Sequence, residues 1–81
     1  MEFMCPVCGF PGLTEPPYNA DGGGSYEICP CCGFEFGFDD QSEGVTHEDF
    51  RATWLAAGAE WFDPEQKPDG WDLEAQLRNL E

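Results

Sequence analysis

The chain has 81 residues, with 17 aspartates and glutamates against three lysines and arginines, for a formal net charge of −14. A chain of this size suits one domain but buries only about 60% of its unfolded surface, so its core is marginal without a metal or disulfide bonds. So few basic residues cannot form the patch with which proteins bind phosphates, and we expect no nucleic acid and no anionic membrane as a partner, but another protein, a basic one.

Two near-identical hexapeptides dominate the first half of the chain. They are CPVCGF at residues 5–10 and CPCCGF at residues 29–34, here named the first knuckle and the second knuckle. The segment TEPPYNADGGGS between them, residues 14–25, predicts a turn-rich loop because it carries a proline pair and a glycine triplet.

Two segments next to the second knuckle have the pattern of β-strands. Tyr26 to Ile28 alternates apolar and acidic residues, and Phe34, Phe36 and Phe38 follow at a spacing of two. We therefore expect the second knuckle at the tip of a β-hairpin.

A helix is predicted to begin after Thr46, a favourable N-cap residue with Asp49 three positions on, and to stop at Gly58. Its expected buried face consists of Phe50, Trp54 and Ala57. Asp72 predicts the cap of a short last helix, and the apolar stripe of that helix consists of Leu73, Leu77 and Leu80.

The cysteine spacing predicts a metal site. The predicted ligands are Cys5, Cys8, Cys29 and Cys32, in two CxxC units separated by twenty residues. Two residues between ligands let one tight turn aim both sulfurs at one ion, and the following glycine can adopt a positive φ. Four thiolates suit one structural zinc ion, with iron as the alternative.

The fifth cysteine, Cys31, aligns with Val7 in the repeat, so we predict that it is not a ligand. Two alternatives to a structural zinc protein remain open. One is a rubredoxin-like iron electron-transfer protein, and the other is a thiol-redox protein that uses Cys31. An odd number of cysteines fits poorly with a secreted disulfide framework, so we expect a cytoplasmic protein, and the N-terminal residues carry no signal-peptide pattern.

No pattern of an enzyme is present, and we expect none of the residues to be catalytic. His47 is the single histidine, and its place at a helix start predicts a solvent-exposed or capping role. Asp39 and Asp40 form a carboxylate pair that we expect to face water. A closed set of four cysteine ligands would also leave no metal-bound water to activate.

The chain resembles the cysteine-rich CPCC family of small bacterial proteins. The resemblance rests on the two knuckles and the segment between them, followed by GVTHEDFRATWLAAGAEWF at residues 44–62. It implies zinc binding through the four predicted ligands and no established activity, and it gives Cys31 no role.

Together these observations predict a small α+β metal-bound domain. We expect zinc-ribbon-like β-hairpins with two zinc knuckles, followed by one or two C-terminal helices. The predicted boundaries are 1–81 for the single domain, 1–40 for its metal-binding β unit and 45–81 for its helical part. The function predicted for this domain is a protein-interaction module held by one zinc ion.

Overall fold

The helices of the computed structural model, which describes residues 3–81, all lie in the second half of the chain. They are α1 (His47–Ala56), α2 (Leu73–Leu77) and two 3-10 helices at Pro64–Gln66 and Arg78–Leu80. The radius of gyration is 12.0 Å, close to the roughly 11.7 Å expected of a compact domain of this length. The first two residues of the predicted domain lie outside the described part.

Helix α1 begins and ends where the sequence predicts. The hydroxyl of Thr46 accepts a hydrogen bond from the N–H of Asp49 at 3.1 Å, and Gly58 adopts a φ of +101° just beyond the last turn. Trp54 is buried and Phe50 is half-buried, but Ala57 is exposed, so the prediction of a buried Ala57 is wrong. The helix therefore packs through its two aromatic residues.

Helix α2 is shorter than the leucine stripe suggests, because it gives way to a 3-10 helix after Leu77. Its predicted cap is confirmed, since a carboxylate oxygen of Asp72 accepts from the N–H groups of Glu74 and Ala75. The buried residue of α2 is Gln76, while the three leucines of the stripe are half-buried.

Between residues 3 and 81, no helix is long and apolar enough to cross a membrane.

The predicted β-hairpins are not supported by the structure. Within the described residues, β pairing is limited to isolated bridges, and these join Phe3 to Leu13, Tyr18 to Gly24, and Ile28 to Glu35. The region that the sequence assigns to a zinc-ribbon-like β unit is therefore built from turns and single bridges.

Backbone and side-chain interactions explain why the two predicted strands stop early. Tyr26 has a φ of +62°, a left-handed conformation that a strand does not accommodate. On the other side, the carboxylate of Asp39 accepts a hydrogen bond from the N–H of Glu35, and Asp40 accepts one from the N–H of Gly37, both at 2.8 Å. These hydrogen bonds hold the turn at residues 36–43, in which the N–H groups of Phe38 and Asp39 also donate to the carbonyl of Glu35, at 3.2 and 3.1 Å, so the extended backbone ends after Glu35.

The core lies around the two knuckles. All five cysteines are buried in it, together with Phe34 and Phe36, which are fully buried. The ring of Phe34 meets that of Phe50 edge-to-face with centroids 4.9 Å apart, and this contact packs α1 against the second knuckle. Phe38, which shares their spacing of two, lies within the turn at residues 36–43 and is 45% exposed.

Candidate metal centre

The two knuckles fold into the same turn. In the first knuckle the N–H of Gly9 donates to the carbonyl of Cys5 at 2.9 Å, and the N–H of Cys5 donates to the carbonyl of Phe10 at 2.8 Å. The second knuckle repeats both hydrogen bonds at the equivalent positions, at 2.8 and 3.0 Å. Gly9 and Gly33 each have a φ of +84°, a conformation that favours glycine. The sequence repeat is therefore a structural repeat.

These turns bring four buried sulfur atoms together. They belong to the cysteine cluster, which consists of Cys5, Cys8, Cys29 and Cys32, and they all lie within 4.8 Å of one another. Across the knuckles, the sulfurs of Cys5 and Cys32 are 3.9 Å apart, and those of Cys8 and Cys29 are 3.7 Å apart.

These separations identify the chemistry that the cluster suits. A tetrahedral ion with metal–sulfur bonds of about 2.3 Å holds neighbouring sulfurs about 3.8 Å apart, whereas a disulfide bond is about 2.05 Å long. All five cysteines of the chain are free thiols in the structure. The cluster is therefore compatible with one metal ion bound by four thiolates, and its spacing does not match two disulfides.

The electrostatics of the cluster also favour a cation. Hydrogen bonding to Cys29 raises the pKa of Cys8 and of Cys32, while hydrogen bonding from Cys32 lowers the pKa of Cys29. The same hydrogen bonds therefore raise the pKa of one sulfur and lower that of its neighbour, so the four thiols do not ionise independently. A bound divalent cation is the group that would let all four sulfurs ionise together.

Cys31 stands outside the cluster, in the position that Val7 occupies in the first knuckle, and both side chains are fully buried. Its sulfur accepts a hydrogen bond from the side-chain amide of Gln76 at 3.3 Å. Hydrogen bonding with Cys8 lowers the pKa of Cys31 against the opposing effect of burial, and Gln76 adds to the lowering. A redox thiol has to meet its oxidant, so complete burial gives no support to the thiol-redox alternative.

Comparison with known proteins places the chain among relatives from Bacillus subtilis (strain 168). The uncharacterized protein YoaQ is 30% identical over 81 aligned residues, which cover 83% of this chain and 69% of YoaQ. The chain belongs to the same family as YoaQ. The uncharacterized protein YozI is 28% identical over 92 aligned residues, which cover 95% of this chain and 71% of YozI. No family model and no solved structure matches the chain.

In this member of the YoaQ family, the first knuckle is held by three side chains from the C-terminal half that the sequence analysis missed. The guanidinium of Arg51 donates to the carbonyl of Val7 at 2.6 Å and to that of Pro6 at 3.1 Å. Arg51 is one of only three basic residues in a chain of 17 acids. Its guanidinium nonetheless binds backbone carbonyl groups, and the pattern of charges in the sequence does not predict such contacts.

Gln76 is the central tether of the first knuckle. Its amide nitrogen donates to the carbonyl of Cys8 at 3.0 Å, and its amide oxygen accepts from the indole N–H of Trp71 at 2.8 Å. The neighbouring Asn79 donates to the carbonyl of Gly9 at 2.9 Å. In the sequence, Gln76 stands out only because it lies between the leucines of the stripe. That position predicts a polar residue in an apolar segment and no particular contact.

The carbonyl groups of the second knuckle are bound by backbone N–H groups instead, although Gln76 also contacts the sulfur of Cys31. The N–H of Phe62 donates to the carbonyl of Cys31 at 3.0 Å, and the N–H of Asp63 donates to the carbonyl of Pro30 at 2.8 Å. The side chain of Phe62 is 62% exposed, so its contribution to this contact is mainly its backbone.

A second polar cluster joins the long loop to the start of α1. The hydroxyl of Tyr18 donates to the carboxylate of Asp40 and lies 2.7 Å from Nε2 of His47, whose ring meets Phe34 edge-to-face. Burial, followed by the contact with Asp40, raises the pKa of Tyr18. His47 is half-buried in this cluster, so its predicted exposed or capping role is wrong, and Asp40 does not simply face water.

Proposed function

We propose that this member of the YoaQ family binds one zinc ion through the cysteine cluster and that the metal-stabilised domain is a protein-interaction module in the cytoplasm, without catalytic activity. The observation that carries the zinc proposal is the sulfur geometry, with cross-knuckle distances of 3.7 and 3.9 Å against the roughly 3.8 Å edge of a zinc–thiolate tetrahedron. The resemblance to the CPCC family, which rests on the same knuckles, agrees with this proposal.

The limited regular structure supports a structural role for the ion. The described residues form two short α-helices and isolated bridges, and the cysteines themselves make up a large share of the core. Zinc binding of this kind contributes about 10–16 kcal/mol in small zinc domains, whereas whole domains are stable by about 5–15 kcal/mol. The folding free energy of this chain is thus expected to come largely from its metal.

The ligand set also argues for a non-catalytic ion. Four protein thiolates fill a tetrahedral site, so no coordination position remains for a water molecule or a substrate. The metal chemistry at this site is therefore limited to holding the two knuckles together when zinc is bound. The strong negative charge of −14 suits a basic protein as the partner of such a module.

Elemental analysis of the protein purified from cells without added metal tests the proposal. We expect one zinc per chain and no visible absorption, and we expect chelation to abolish the cooperative thermal transition. One iron per chain with a red colour would replace the structural proposal by the rubredoxin-like one. A cooperative transition that survives complete removal of the metal would contradict a structural role.

A further inference from the structure

An aromatic groove lies between the first knuckle and the C-terminal residues. It has a volume of about 620 Å³, and three aromatic side chains line it, Phe10, Trp61 and Trp71. The angle between the ring planes is 89° for Phe10 and Trp61 and 82° for Trp61 and Trp71. These rings pack against one another edge-to-face, with centroids 5.6 and 5.4 Å apart, and Trp61 is buried while Phe10 and Trp71 are half-buried, so the two outer rings supply the aromatic surface of the groove.

Two neighbouring groups show that the groove suits positive charge. The ammonium of Lys67 lies 5.4 Å from the centre of the Trp71 ring, within the range of a cation–π interaction. Asp72 lines the same groove, and one of its two carboxylate oxygens makes both of its capping hydrogen bonds. A cation from outside would thus find a ring face and a carboxylate together.

The charges of the rest of the chain indicate that a cation in the groove would come from a partner and not from another basic residue of this chain. Of the three basic residues, Arg51 is bound to carbonyl groups of the first knuckle, and Lys67 already lies on Trp71. The 17 acidic residues give the surface a negative potential that attracts a basic partner and raises its association rate.

We propose that this aromatic groove is the docking site for a basic segment of a partner protein, which inserts an arginine side chain between the aromatic rings and Asp72. Arginine suits the groove because its planar guanidinium stacks on aromatic faces and forms paired hydrogen bonds with a carboxylate. This assignment rests on the proposed interaction function and gives it a site and a ligand chemistry.

A titration of the zinc-loaded protein with a short peptide of alternating arginine and glycine tests the assignment. The indole N–H signals of Trp61 and Trp71 in nuclear magnetic resonance spectra report on the groove, and that of Trp54, which does not line it, is the internal control. We expect the first two signals to shift and the third to stay. Equal shifts with a glutamine–glycine or a proline-rich peptide would overturn the choice of a basic ligand.

Matched charge variants separate the groove from general attraction. Asp72→Asn keeps a good N-cap but removes the carboxylate charge, and we expect it to weaken binding about two- to fivefold. Asp21→Asn removes the same charge from the exposed loop and should have little effect. Equal weakening by the two variants would show attraction to the whole surface and contradict the site.

Removal of the internal cation gives a test in the opposite direction. Lys67→Gln frees the face of Trp71, so it should tighten peptide binding more than Arg78→Gln, which removes a charge away from the groove. An equal gain in both variants would overturn the role of Trp71. Zinc content is measured on each sample, because missing zinc contradicts the proposed metal function, whereas fully loaded protein without peptide shifts contradicts the groove alone.

Discussion

The first and second knuckles have the same backbone turn but are supported in different ways. Side chains that lie far along the sequence bind the backbone carbonyls of the first knuckle, whereas backbone N–H groups of residues 62–63 bind those of the second. Backbone hydrogen bonds survive most substitutions, but a side-chain tether is lost with its residue. The comparison teaches that two knuckles with the same turn, each contributing two cysteines to one cluster, can differ in their sensitivity to mutation elsewhere.

Loss of a predicted ligand should abolish this difference, because in the proposed function both knuckles bind the same ion. We expect Cys8→Ser and Cys32→Ser, one change in each knuckle, to lose zinc and to cost most of the roughly 10–16 kcal/mol that the metal contributes. Zinc content and thermal melting check the result. Cys31→Ser is the matched control and should keep one zinc, so loss of metal in that variant would contradict the assignment of Cys31 as a non-ligand.

The glycines that end the two knuckles should show the difference most directly. A side chain at either position is strained by a φ of +84°, which costs roughly 1–2 kcal/mol. At Gly9 the added methyl group also collides with the backbone carbonyl of Gln76, whereas at Gly33 it meets the exposed side chain of Phe62 at 3.0 Å. We therefore expect Gly9→Ala to lower the free energy of unfolding by several kcal/mol, on the order of twice the loss in Gly33→Ala.

Urea denaturation of the two glycine variants with zinc bound measures both losses. Equal losses would mean that residues 71–81 can move away from the first knuckle at no cost, and the tether described for Gln76 would then contribute little.

Removal of the tethers themselves should give the next largest effect. Gln76→Leu leaves the carbonyl of Cys8, the indole N–H of Trp71 and the sulfur of Cys31 without this partner, so we expect a loss of about 2–4 kcal/mol in the free energy of unfolding. Phe62→Ala keeps the backbone bond to the second knuckle and removes a side chain that is 62% exposed, so its loss should stay below about 1 kcal/mol. The same urea measurement checks both, and a larger loss for Phe62→Ala would reverse the comparison.

The predictions from sequence succeeded where the cause is local. The caps at Thr46 and Asp72 and the turns at Gly9 and Gly33 depend on neighbouring residues, and each is present in the structure. The clustering of the four sulfurs follows from two such turns and the repeat. Rules that relate residues close together in the sequence therefore predicted most of the candidate site.

The predictions failed where a distant or competing partner decides. Residue spacing alone indicated strands on both sides of the second knuckle, but Tyr26 has a left-handed backbone, and the chain turns after Glu35, whose carbonyl accepts from the N–H groups of Phe38 and Asp39. Gln76 reaches a carbonyl 68 positions away, and Arg51 one 44 positions away. No pattern within a short window contains these contacts, so the tethers and the groove beside them required the structure.

The smallest expected effect concerns Asp40, beside the second knuckle. Burial raises the pKa of Asp40, but hydrogen bonds from Tyr18 and from the N–H groups of Gly37 and Gln41 outweigh it, so the net pKa is lowered. A lowered pKa means that the ionised carboxylate favours the folded state. This contribution is present above the unfolded pKa of about 3.9 and is lost only as the pH falls through the lower, folded value.

Asp40→Asn should therefore lower the free energy of unfolding by about 1 kcal/mol at about pH 8, through weaker hydrogen bonds, and by no less at about pH 6, where the carboxylate is still ionised and lies 4.0 Å from His47. Urea denaturation of the zinc-loaded wild type and variant at both values measures the difference. Both proteins contain the same cysteine cluster, so any destabilisation that its protonation causes as the pH falls cancels from the difference between them. A difference between the two proteins that shrinks from pH 8 to pH 6 would mean that Asp40 takes up its proton near neutrality, against the lowered pKa.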